Sequence, residues 1–554
     1  MAIKGFPSTM NDEYQMNLIK VLRYAAATHG DTDVVSYRTL QDGEVHRLNY
    51  AEMYRRVCAM ANALEKLGVK PGDRIGILGW NDHRYLESYF SISGLGAVMV
   101  NLNIRLHIDE LSYIVDHAGI KALFVDNTLL PLAESLAEKR KFDFIVLMSD
   151  KGEYESKLQP IYWYEDLIKD NPDDREWEEI DETSAATACY TSGTTGLPKG
   201  VFYSHRAMIL HGLVTAATLP VTIEDTFLPI VPLFHVNGWC IFPGAMATGA
   251  RIVLPGRYTP DSLADIISKE KVTLTNGVPT IHLMILEALR KIEPKPRLDG
   301  LRVLIGGSEP PLSLMKGYAE FGAKVIQLYG ATEASPLVTI NKVKQKLMEN
   351  MSDEDYYEHQ RKQGLPLFGL EVKLVDPDRE QEVPWDGKSV GELWVRGHWI
   401  IKEYYNDPRT KEQCMPDGWW RSGDAAVIDK NGYVKLVDRL KDVIKSGGEW
   451  ISSVDMENLL MTHPAVLEAT VVGIPHPKWD ERPLALVVLK PEYKDKPAEE
   501  IEKSLREWLL QRFAKWQLPD KILFVDEIPK TSVGKFAKRI VREQYKDLYM
   551  KEAA

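Results

Sequence analysis

A loop of glycines, hydroxyl side chains and one lysine is a stretch of this chain whose residue types could do chemistry. Residues 190–200 read YTSGTTGLPKG, and the preceding run SAATACY (184–190) is short and apolar, as a buried strand would be. A glycine-rich turn after a strand can point successive backbone N–H groups at an anion, and serine and threonine hydroxyls add donors. Lys199 would bring a mobile positive charge to the same place. The stretch is therefore a candidate phosphate-binding loop.

This loop matches neither of the two common glycine-rich phosphate motifs. Gly193 and Gly196 are separated by two threonines, and Lys199 follows Pro198, whereas a Walker A loop ends in Gly-Lys-Ser or Gly-Lys-Thr. The dinucleotide fingerprint does not fit either. An ordinary surface turn can have the same composition, so the loop by itself suggests a nucleotide without establishing one.

Three further stretches carry side chains with chemical potential. LYGATEASP (328–336) places Tyr329, Thr332 and Glu333 after a predicted strand, where an aromatic ring could stack on a base and a carboxylate near phosphates could hold Mg²⁺. WWRSGDAAV (419–427) offers Asp424 as an acceptor for ribose hydroxyls, and PKTSVGKFAK (529–538) places Lys535 on a glycine-containing loop. Taken singly, each has an ordinary interpretation as a core, turn or surface residue.

The elements that would position these residues follow an alternating pattern. Short apolar runs alternate with amphipathic helical stretches, which predicts an α/β fold with parallel sheets covered by helices. Sites in such sheets form at the carboxyl ends of strands, and the loops after Tyr190, Ile305 and Leu328 come at such ends. The predicted strands lie within 74–80, 96–103, 122–126, 144–150, 250–255, 301–307 and 324–330.

The pattern changes in the last third of the chain. Alternating strands follow Gly391, and a further α+β unit begins near residue 440, with a helix that places Ile501, Leu505, Trp508, Leu509 and Phe513 on one apolar face. The charged segment 342–364 predicts a solvated helix with surrounding loops. We place a boundary at DRLKD (438–442), which gives an N-terminal domain of residues 1–438 and a C-terminal domain of residues 439–554.

Length, charge and cysteine content limit the class of protein. A chain of 554 residues predicts two or more domains, and a formal net charge of -12 argues against nucleic acid or an acidic membrane surface as main partner. The four scattered cysteines form no C-x-x-C pair, which favours a reducing compartment and gives no support for a zinc site. No apolar leader and no run of 18 apolar residues is visible, so we expect a cytoplasmic protein with no transmembrane segment.

Five motifs in fixed order carry a family resemblance. The chain contains YTSGTTGLPKGV, YGATE, RSGD, DRLKDVIKSGGEWIS and PKTSVGK, and in this it resembles the adenylate-forming enzymes: acyl-CoA synthetases, luciferases and peptide-synthetase adenylation domains. The resemblance extends from LNYAEM (48–53) to Lys535. It is strongest to the medium- and long-chain fatty acyl-CoA synthetases, whose pattern is followed by VPLFHVNGW (231–239), VVGIPHPKWDERP (471–483) and SGGEWISS (446–453).

The resemblance implies a two-step reaction and a set of substrates. A carboxylate attacks the α-phosphate of ATP to give acyl-AMP and pyrophosphate, and the CoA thiolate then displaces AMP. Both steps develop negative charge that fixed donors and cations must meet. The implied molecules are ATP, Mg²⁺, CoA and a carboxylic acid; a homodimer is left open. The implied fold adds a small barrel-like region to the N-terminal domain and makes the C-terminal α+β domain mobile.

The resemblance also implies roles for individual residues. Lys535 would bridge the carboxylate and the α-phosphate, and catalysis would further involve Thr332, Glu333 and His235. Thr191 and Glu333 would hold Mg²⁺. The implied ATP and AMP contacts are Thr191, Ser192, Gly193, Thr194, Thr195, Gly196 and Lys199 around the phosphates, Tyr329 at the adenine, Thr332 at the α-phosphate, Asp424 and Arg439 at the ribose, and also Gly330 and Lys535.

A second set of residues would serve the thioester step. In the family the small domain rotates after adenylation, withdraws the lysine that Lys535 matches and brings the KSGGEWIS loop over the acyl-AMP. Lys441 matches the hinge position. The residues implied for CoA binding and for the hinge are Lys441, Lys445, Gly447, Gly448 and Trp450.

The acid itself is the least determined part. Amino-acid-activating relatives carry an aspartate just after the aromatic residue that matches Phe234, whereas His235 follows here and no basic residue is apparent nearby for a second carboxylate. Trp239 stands at the position of a gating tryptophan in long-chain enzymes, and a packed core indole is a serious rival interpretation. The predicted acyl contacts are His235, Val236, Trp239, Gly306, Gly307 and Gly330.

Several alternative functions stay open from sequence. The acid could be a medium- to long-chain fatty acid, or a short, branched or hydroxylated one. Lys445 matches a lysine also found in luciferases, so a luciferase-like oxygenase is not excluded, nor is an acyl-AMP ligase that loads another acceptor. A non-catalytic nucleotide-binding regulator is disfavoured because Lys535, Glu333 and Asp424 are all present.

Overall fold

The computed structural model describes residues 3, 5–37, 45–149, 154, 156–191, 197–446, 449–530 and 536–553. These residues fold into two compact units. The N-terminal unit comprises Met1–Lys342, Leu367–Leu370 and Arg396–Cys414; the C-terminal unit comprises Val343–Pro366, Glu371–Val395 and Met415–Ala554. The boundary predicted between residues 438 and 439 separates two domains that would move relative to each other. It is a different division from these two units, and it stays a prediction.

Helices and strands alternate through the first 340 residues. The helices are α1 Leu18–Thr28, α2 Tyr50–Lys66, α3 His83–Ser93, α4 Ile108–Ala118, α5 Leu130–Ala137, α6 Tyr164–Lys169, α7 His205–Thr218, α8 Phe242–Ala247, α9 Pro260–Lys269, α10 Pro279–Leu289 and α11 Leu312–Ala319. The strands are β1 Asp33–Tyr37, β2 Val45–Asn49, β3 Arg74–Leu78, β4 Val98–Asn101, β5 Ala122–Asp126, β6 Ile145–Met148, β7 Ile161–Trp163, β8 Ala185–Thr191, β9 Lys199–Ser204, β10 Thr226–Pro229, β11 Arg251–Leu254, β12 Leu274–Gly277, β13 Arg302–Ile305, β14 Lys324–Gly330 and β15 Leu337–Ile340.

Two sheets organise the N-terminal unit. One has the order β7-β6-β5-β3-β4-β8-β9, in which β8 and β9 are antiparallel and the other pairs are parallel. The other runs β15-β14-β13-β12-β10-β11-β1-β2, parallel from β14 to β1. Strands such as β5 are buried along their whole length because helices cover both faces of a parallel sheet. The predicted α/β fold with mostly parallel sheets is confirmed.

The C-terminal half of the chain contains shorter helices and antiparallel strands. The helices are α12 Gln345–Met348, α13 Asp353–Gln360, α14 Thr410–Gln413, α15 Ser453–Met461, α16 Ala498–Leu509, α17 Lys538–Tyr545 and α18 Leu548–Ala553. The strands are β16 Leu365–Pro366, β17 Leu370–Val375, β18 Gly391–Gly397, β19 Trp420–Ile428, β20 Val434–Arg439, β21 Ile444–Ser446, β22 Glu449–Ile451, β23 Val466–His476, β24 Asp480–Leu489 and β25 Lys521–Phe524.

Two further sheets belong to this half. One is a four-stranded sheet with the order β17-β18-β19-β20, and the other is a five-stranded sheet with the order β22-β21-β24-β23 and β25 beside β24. The small barrel-like region expected in the N-terminal domain stays a prediction. Helix α16 buries Ile501, Leu505 and Leu509 as predicted, and Trp508 is half-buried. The helix ends at Leu509, so Phe513 lies in the segment after the helix, where it is also buried. The fold therefore matches the predicted α+β pattern in this half.

One predicted helix was wrong in form. Segment 342–364 contains two short helices, α12 and α13, rather than one. The physical reason is a new N-cap, because the Ser352 side chain accepts a hydrogen bond from the Asp355 backbone N–H and so starts a second helix. The segment is mostly exposed, as its charge predicted.

The cysteines behave as the sequence predicted. All four are free, and Cys58, Cys189 and Cys240 are buried. Burial raises the pKa of the Cys189 thiol to about 12, so it stays protonated and unreactive at neutral pH. Among the described helices, none combines the length and the apolar character that a bilayer span requires.

A buried ion-pair network holds α2, α3 and α6 together. The Glu87 carboxylate is fully buried and accepts hydrogen bonds from Arg56 Nε at 2.7 Å and from the Tyr164 hydroxyl at 2.9 Å. Glu165 joins Arg56 at 2.9 Å to Arg84 at 2.8 Å. Burial raises the pKa of Glu87, so its charge depends on these partners.

We expect Glu87→Ala to lower the free energy of unfolding of the N-terminal unit by about 3–5 kcal/mol, because it removes one partner of a buried ion pair and takes this carboxylate away from the Arg56 guanidinium. The matched control is Glu65→Ala, whose carboxylate pairs with Arg175 at 3.0 Å but is 60% exposed, and this change should cost no more than about 1 kcal/mol. Urea denaturation followed by fluorescence and circular dichroism measures both. Equal shifts of the two midpoints would contradict the importance of the buried network.

Candidate active site

The β8–β9 hairpin positions the first predicted site residues. Thr191 and Lys199 lie opposite each other in the antiparallel register. The connecting residues Ser192, Gly193, Thr194, Thr195 and Gly196 lie outside the described residues, so their predicted phosphate contacts stay predictions. Thr191 Oγ1 is buried and makes no hydrogen bond to any described residue, which leaves it available to a ligand.

The loop after β14 positions the second group. β14 spans the predicted range 324–330, so Tyr329 and Gly330 belong to the strand rather than to the loop expected after Leu328, because β15 pairs with them. Thr332 and Glu333 then form a short 3-10 turn. The Tyr203 hydroxyl donates to the Thr332 carbonyl at 2.8 Å, which fixes this turn against β9.

Gly330 has a steric reason to be glycine. A Cβ built there would overlap the Pro336 carbonyl oxygen. The neighbouring Tyr329 side chain is buried. The close approach of the two backbone segments therefore sets the shape of the turn that carries Thr332 and Glu333.

A hydrogen-bonded chain joins the two groups. Lys199 Nζ donates to Gln413 Oε1 at 2.5 Å, and the Tyr404 hydroxyl lies 2.8 Å from Gln413 Oε1 and 2.7 Å from Glu333 Oε1. Lys199 Nζ also lies 4.0 Å from the centre of the Tyr404 ring. Burial lowers the pKa of Lys199, and the charge of Glu333 opposes this effect. The structure thus brings together two residues that are far apart in sequence.

Sequence reasoning missed Tyr404 and Gln413. They belong to KEYYNDPRTKEQC (402–414), which has no glycine-rich loop and no strand-end signal. Backbone contacts hold this segment in place, since Tyr405 N–H donates to the Gly200 carbonyl at 2.9 Å and Ile401 N–H to the Glu333 carbonyl at 2.8 Å. Only tertiary structure reveals that it contacts both motifs.

The predicted acyl-binding stretch forms an unusual left-handed turn. Val236, Asn237, Gly238, Trp239 and Cys240 all have positive φ, with 46° at the β-branched Val236 and 69° at Trp239. A left-handed residue other than glycine costs about 1–2 kcal/mol, so surrounding contacts must hold the turn. All five residues are buried.

Buried asparagines from neighbouring strands clamp this turn. Asn101 Nδ2 donates to Asn237 Oδ1 at 3.0 Å, and Asn237 Nδ2 donates to Thr187 Oγ1 at 3.1 Å. Asn276 Nδ2 donates to the Gly238 carbonyl at 3.0 Å. These bonds fix both polar groups of the Asn237 side chain and one backbone carbonyl of the turn.

A third asparagine holds the residues that lead into the turn. Asn81 Nδ2 donates to the Val231 carbonyl at 2.9 Å. Sequence reasoning did not single out Asn81, Asn101 or Asn276, although each lies at or just beyond the carboxyl half of a strand. Their position at strand ends was therefore the signal that could have identified them.

Trp239 and Gly306, two of the residues predicted to contact the acyl chain, pack against each other. Trp239 is 6% exposed, and a Cβ built on Gly306 would lie 3.0 Å from the indole edge and 2.7 Å from Leu328. The missing side chain at Gly306 therefore leaves the space that the indole fills. Gly307 has a φ of 82°, and the His235 side chain is half-buried beside the left-handed turn.

A cavity of about 140 Å³ lies beside the same stretch. Its lining includes Phe234 and Tyr258 together with two exposed guanidinium groups, Arg105 and Arg257, and the Trp80 indole. Arg105 and Arg257 follow β4 and β11, so strand-end position was the signal that could have revealed them. Two guanidinium groups at a cavity suit an anionic group.

The C-terminal unit holds the predicted ribose contacts. Asp424 is buried on β19 and lies directly opposite Arg439 on β20, with Arg439 Nε 2.8 Å from Asp424 Oδ1. Ser422 Oγ accepts a hydrogen bond from the Asp424 backbone N–H at 3.0 Å. Asp424 and Arg439, which were predicted as two ribose contacts, therefore form an ion pair with each other.

The predicted hinge and CoA residues are described only in part. Lys441 and Lys445 are exposed. Gly447, Gly448 and Lys535 lie outside the described residues, and the Trp450 side chain also lies outside them.

The predicted magnesium site contains few protein ligands. No group of three or more histidine, cysteine, aspartate or glutamate side chains that could hold a metal ion occurs among the described residues. The buried Thr191 hydroxyl, which makes no hydrogen bond to any described residue, and the Glu333 carboxylate nevertheless fit Mg²⁺, because this ion usually takes only one or two protein ligands and completes its shell with substrate phosphates and water.

Comparisons with known proteins identify the family. The AMP-binding enzyme family model matches residues 22–405, and the AMP-binding enzyme C-terminal domain matches residues 455–535. The chain is 46% identical over 554 residues to a long-chain-fatty-acid–CoA ligase of Thermus thermophilus, covering 99% of this chain and 98% of that protein. It is 41% identical over 537 residues to a 3-methylmercaptopropionyl-CoA ligase of Ruegeria lacuscaerulensis, covering 95% and 97%.

A solved structure shares the fold. The crystal structure of an anthranilate CoA ligase in complex with anthranoyl-AMP matches with a TM-score of 0.83 at 24% identity, covering 98% of this chain and 99% of that one. The family model spans more than half of the chain, and the Thermus relative is similar along nearly all of it. The chain belongs to the family of AMP-binding enzymes.

Proposed function

We propose that this enzyme is an ATP-dependent CoA ligase that converts a medium- to long-chain fatty acid to its CoA thioester through acyl-AMP, with release of AMP and pyrophosphate. The observation that carries the proposal is the connection of a cation, Lys199, to a carboxylate, Glu333, through Gln413 and Tyr404. A magnesium-bound triphosphate needs both charges at one place.

Lys199 and the hairpin loop would bind the β- and γ-phosphates and the departing pyrophosphate. The Thr191 hydroxyl and Glu333 would hold Mg²⁺, which when bound offsets phosphate charge. Thr332 would contact the α-phosphate and Tyr329 the adenine. Asp424, kept in place by Arg439 at 2.8 Å, would accept hydrogen bonds from the ribose hydroxyls.

The acid would lie along the left-handed turn. Val236 and Trp239 offer apolar surface there, and the indole packs directly against Gly306. The similarity to a long-chain ligase supports a fatty acid. A short acid is the second candidate, because the Ruegeria relative at 41% identity is named for a short sulfur-containing acid.

We further propose that the domain beginning at residue 439 rotates between the two half-reactions about Lys441. Hydrogen bonds cross this hinge, among them those from Ser452 Oγ to the Val437 carbonyl at 2.6 Å and from the Ser453 backbone N–H to Asp438 at 2.9 Å. Rotation would break both, and it would bring Gly447 and Gly448 to the pantetheine arm of CoA.

A cytoplasmic location completes the proposal. Free, mostly buried thiols suit a reducing compartment, which is also where ATP and CoA are available to such an enzyme.

A scan of acids of increasing chain length tests the function directly. AMP formation is measured with and without CoA for acids from acetate to palmitate, with 3-methylmercaptopropionate as the short reference. We expect CoA-dependent turnover that is highest with medium- or long-chain acids. A preference for the short acids would replace the fatty-acid assignment, and light emission with oxygen consumption would replace the ligase assignment.

We expect Lys535→Ala to reduce acyl-AMP formation by a factor of about 10²–10³ or more, because a charged contact to the transition state is lost. Thioester formation from supplied acyl-AMP should continue near the wild-type rate. Quenched-flow measurement of each half-reaction separates the two. Equal losses in both steps would refute the role proposed for Lys535.

Trp239→Ala distinguishes a gate from core packing. If the indole closes the acyl site until ATP binds, the variant should bind fatty acid without an ATP analogue, and the wild type should not. If the indole is only core, the change should destabilise the fold by about 3–5 kcal/mol and leave the ATP dependence of acid binding as it was. Titration of a fluorescent fatty acid, with a melting curve for each protein, decides between them.

A further inference from the structure

We propose that Tyr404 and Gln413 are positioning residues for the triphosphate, which hold Lys199 and Glu333 close together while preventing them from pairing with each other. The inference rests on the proposed use of ATP at this site. It assigns a task to two residues that none of the sequence motifs contains.

Hydrogen-bond geometry supports the assignment. Gln413 Oε1 accepts from Lys199 Nζ at 2.5 Å, so the amide oxygen, and not its NH₂ group, faces the ammonium. The Tyr404 hydroxyl stands between Gln413 and Glu333, at 2.8 and 2.7 Å from their oxygens. Its single proton can satisfy one of these two acceptors at a time, so the phenol links the two side chains without fixing either permanently.

Burial holds the Tyr404 ring in a fixed position beside Lys199. Tyr404 is 2% exposed, and its ring centre lies 4.0 Å from Lys199 Nζ. Lysine has a flexible stem that could otherwise reach the Glu333 carboxylate. A direct ion pair would cancel the two charges that the phosphates and the metal require, and breaking it in a buried site would be costly.

Neutral partners are easier to exchange than ionic ones. Lys199 can give up the Gln413 amide oxygen for a phosphate oxygen, because a hydrogen bond to a charged acceptor is the stronger of the two. Glu333 can likewise give up the Tyr404 hydroxyl for a metal ion. Tyr404 and Gln413 therefore keep both charged groups within reach of the ligand until it binds.

Two variants test the inference. Tyr404→Phe keeps the ring and removes the hydroxyl, and Gln413→Glu gives Lys199 a permanent ionic partner. We expect each to weaken MgATP by about tenfold or more, seen both as a raised Kd in calorimetry and as a raised KM, since a hydrogen bond to a charged group is at stake. The KM for fatty acid, thioester formation from supplied acyl-AMP and the melting temperature should stay at wild-type values.

Tyr405→Phe is the matched control. It makes the same chemical change one residue along, where the ring packs against Phe202 and His117 instead, and it should leave MgATP affinity unchanged. Wild-type MgATP affinity in Tyr404→Phe and Gln413→Glu would overturn the inference. The inference would also be overturned if thioester formation from supplied acyl-AMP fell as much as MgATP affinity and the melting temperature fell with it. A merely structural role of these residues predicts that result.

Measurements on the wild-type protein separate a failure of the proposed function from a failure of the positioning inference. Wild-type protein that binds MgATP but forms no acyl-CoA would refute the function and leave the positioning inference to be judged by the variants. Wild-type protein that binds no MgATP would refute both.

Discussion

A cation and a carboxylate must stay close together without neutralising each other, and the arrangement of the N-terminal unit serves this constraint. Lys199 begins β9 beside the connecting loop of the β8–β9 hairpin, and Glu333 follows a strand of the other sheet. Tyr404 and Gln413 come from a later segment and connect the two by hydrogen bonds. The two loops follow β8 in one sheet and β14 in the other, and the hydrogen bond from Tyr203 to the Thr332 carbonyl holds them together although they are distant in sequence. The later segment supplies the neutral groups that the loops themselves lack.

The left-handed turn depends in the same way on polar contacts from elsewhere in the chain. Five consecutive residues with positive φ are unfavourable, yet they place Trp239 against Gly306. Asn101 on β4 and Asn276 on β12, one from each sheet, offset this cost by satisfying the turn's polar groups. Because the strands are rigid, the turn is held as firmly as they are, and buried amides therefore determine where the Trp239 indole lies.

The C-terminal unit combines contacts that a rotation would break with contacts that it would keep. Ser452 and Ser453 form hydrogen bonds across the predicted hinge to Val437 and Asp438. Beyond the hinge, Lys538 lies 2.9 Å from the buried Glu457, and both residues belong to the part that would move. Hydrogen bonds at a hinge can be exchanged for others in each cycle, whereas a buried ion pair within the moving part keeps that part rigid.

The sequence by itself determined the fold class, the free cysteines and the identity of the motif residues. Alternating apolar runs and glycine-rich loops are local patterns, so Lys199, Glu333 and Asp424 could be named from the order of residues alone. The prediction of a single helix in segment 342–364 was wrong, because the charge pattern does not reveal that the Ser352 side chain caps a second helix. Tertiary structure alone decided that Tyr404 and Gln413 connect two motifs, that Asp424 pairs with Arg439, and that residues 236–240 turn left-handed. The physical reason is that these features depend on contacts between residues far apart in the chain, and such contacts leave no periodic signal in the sequence.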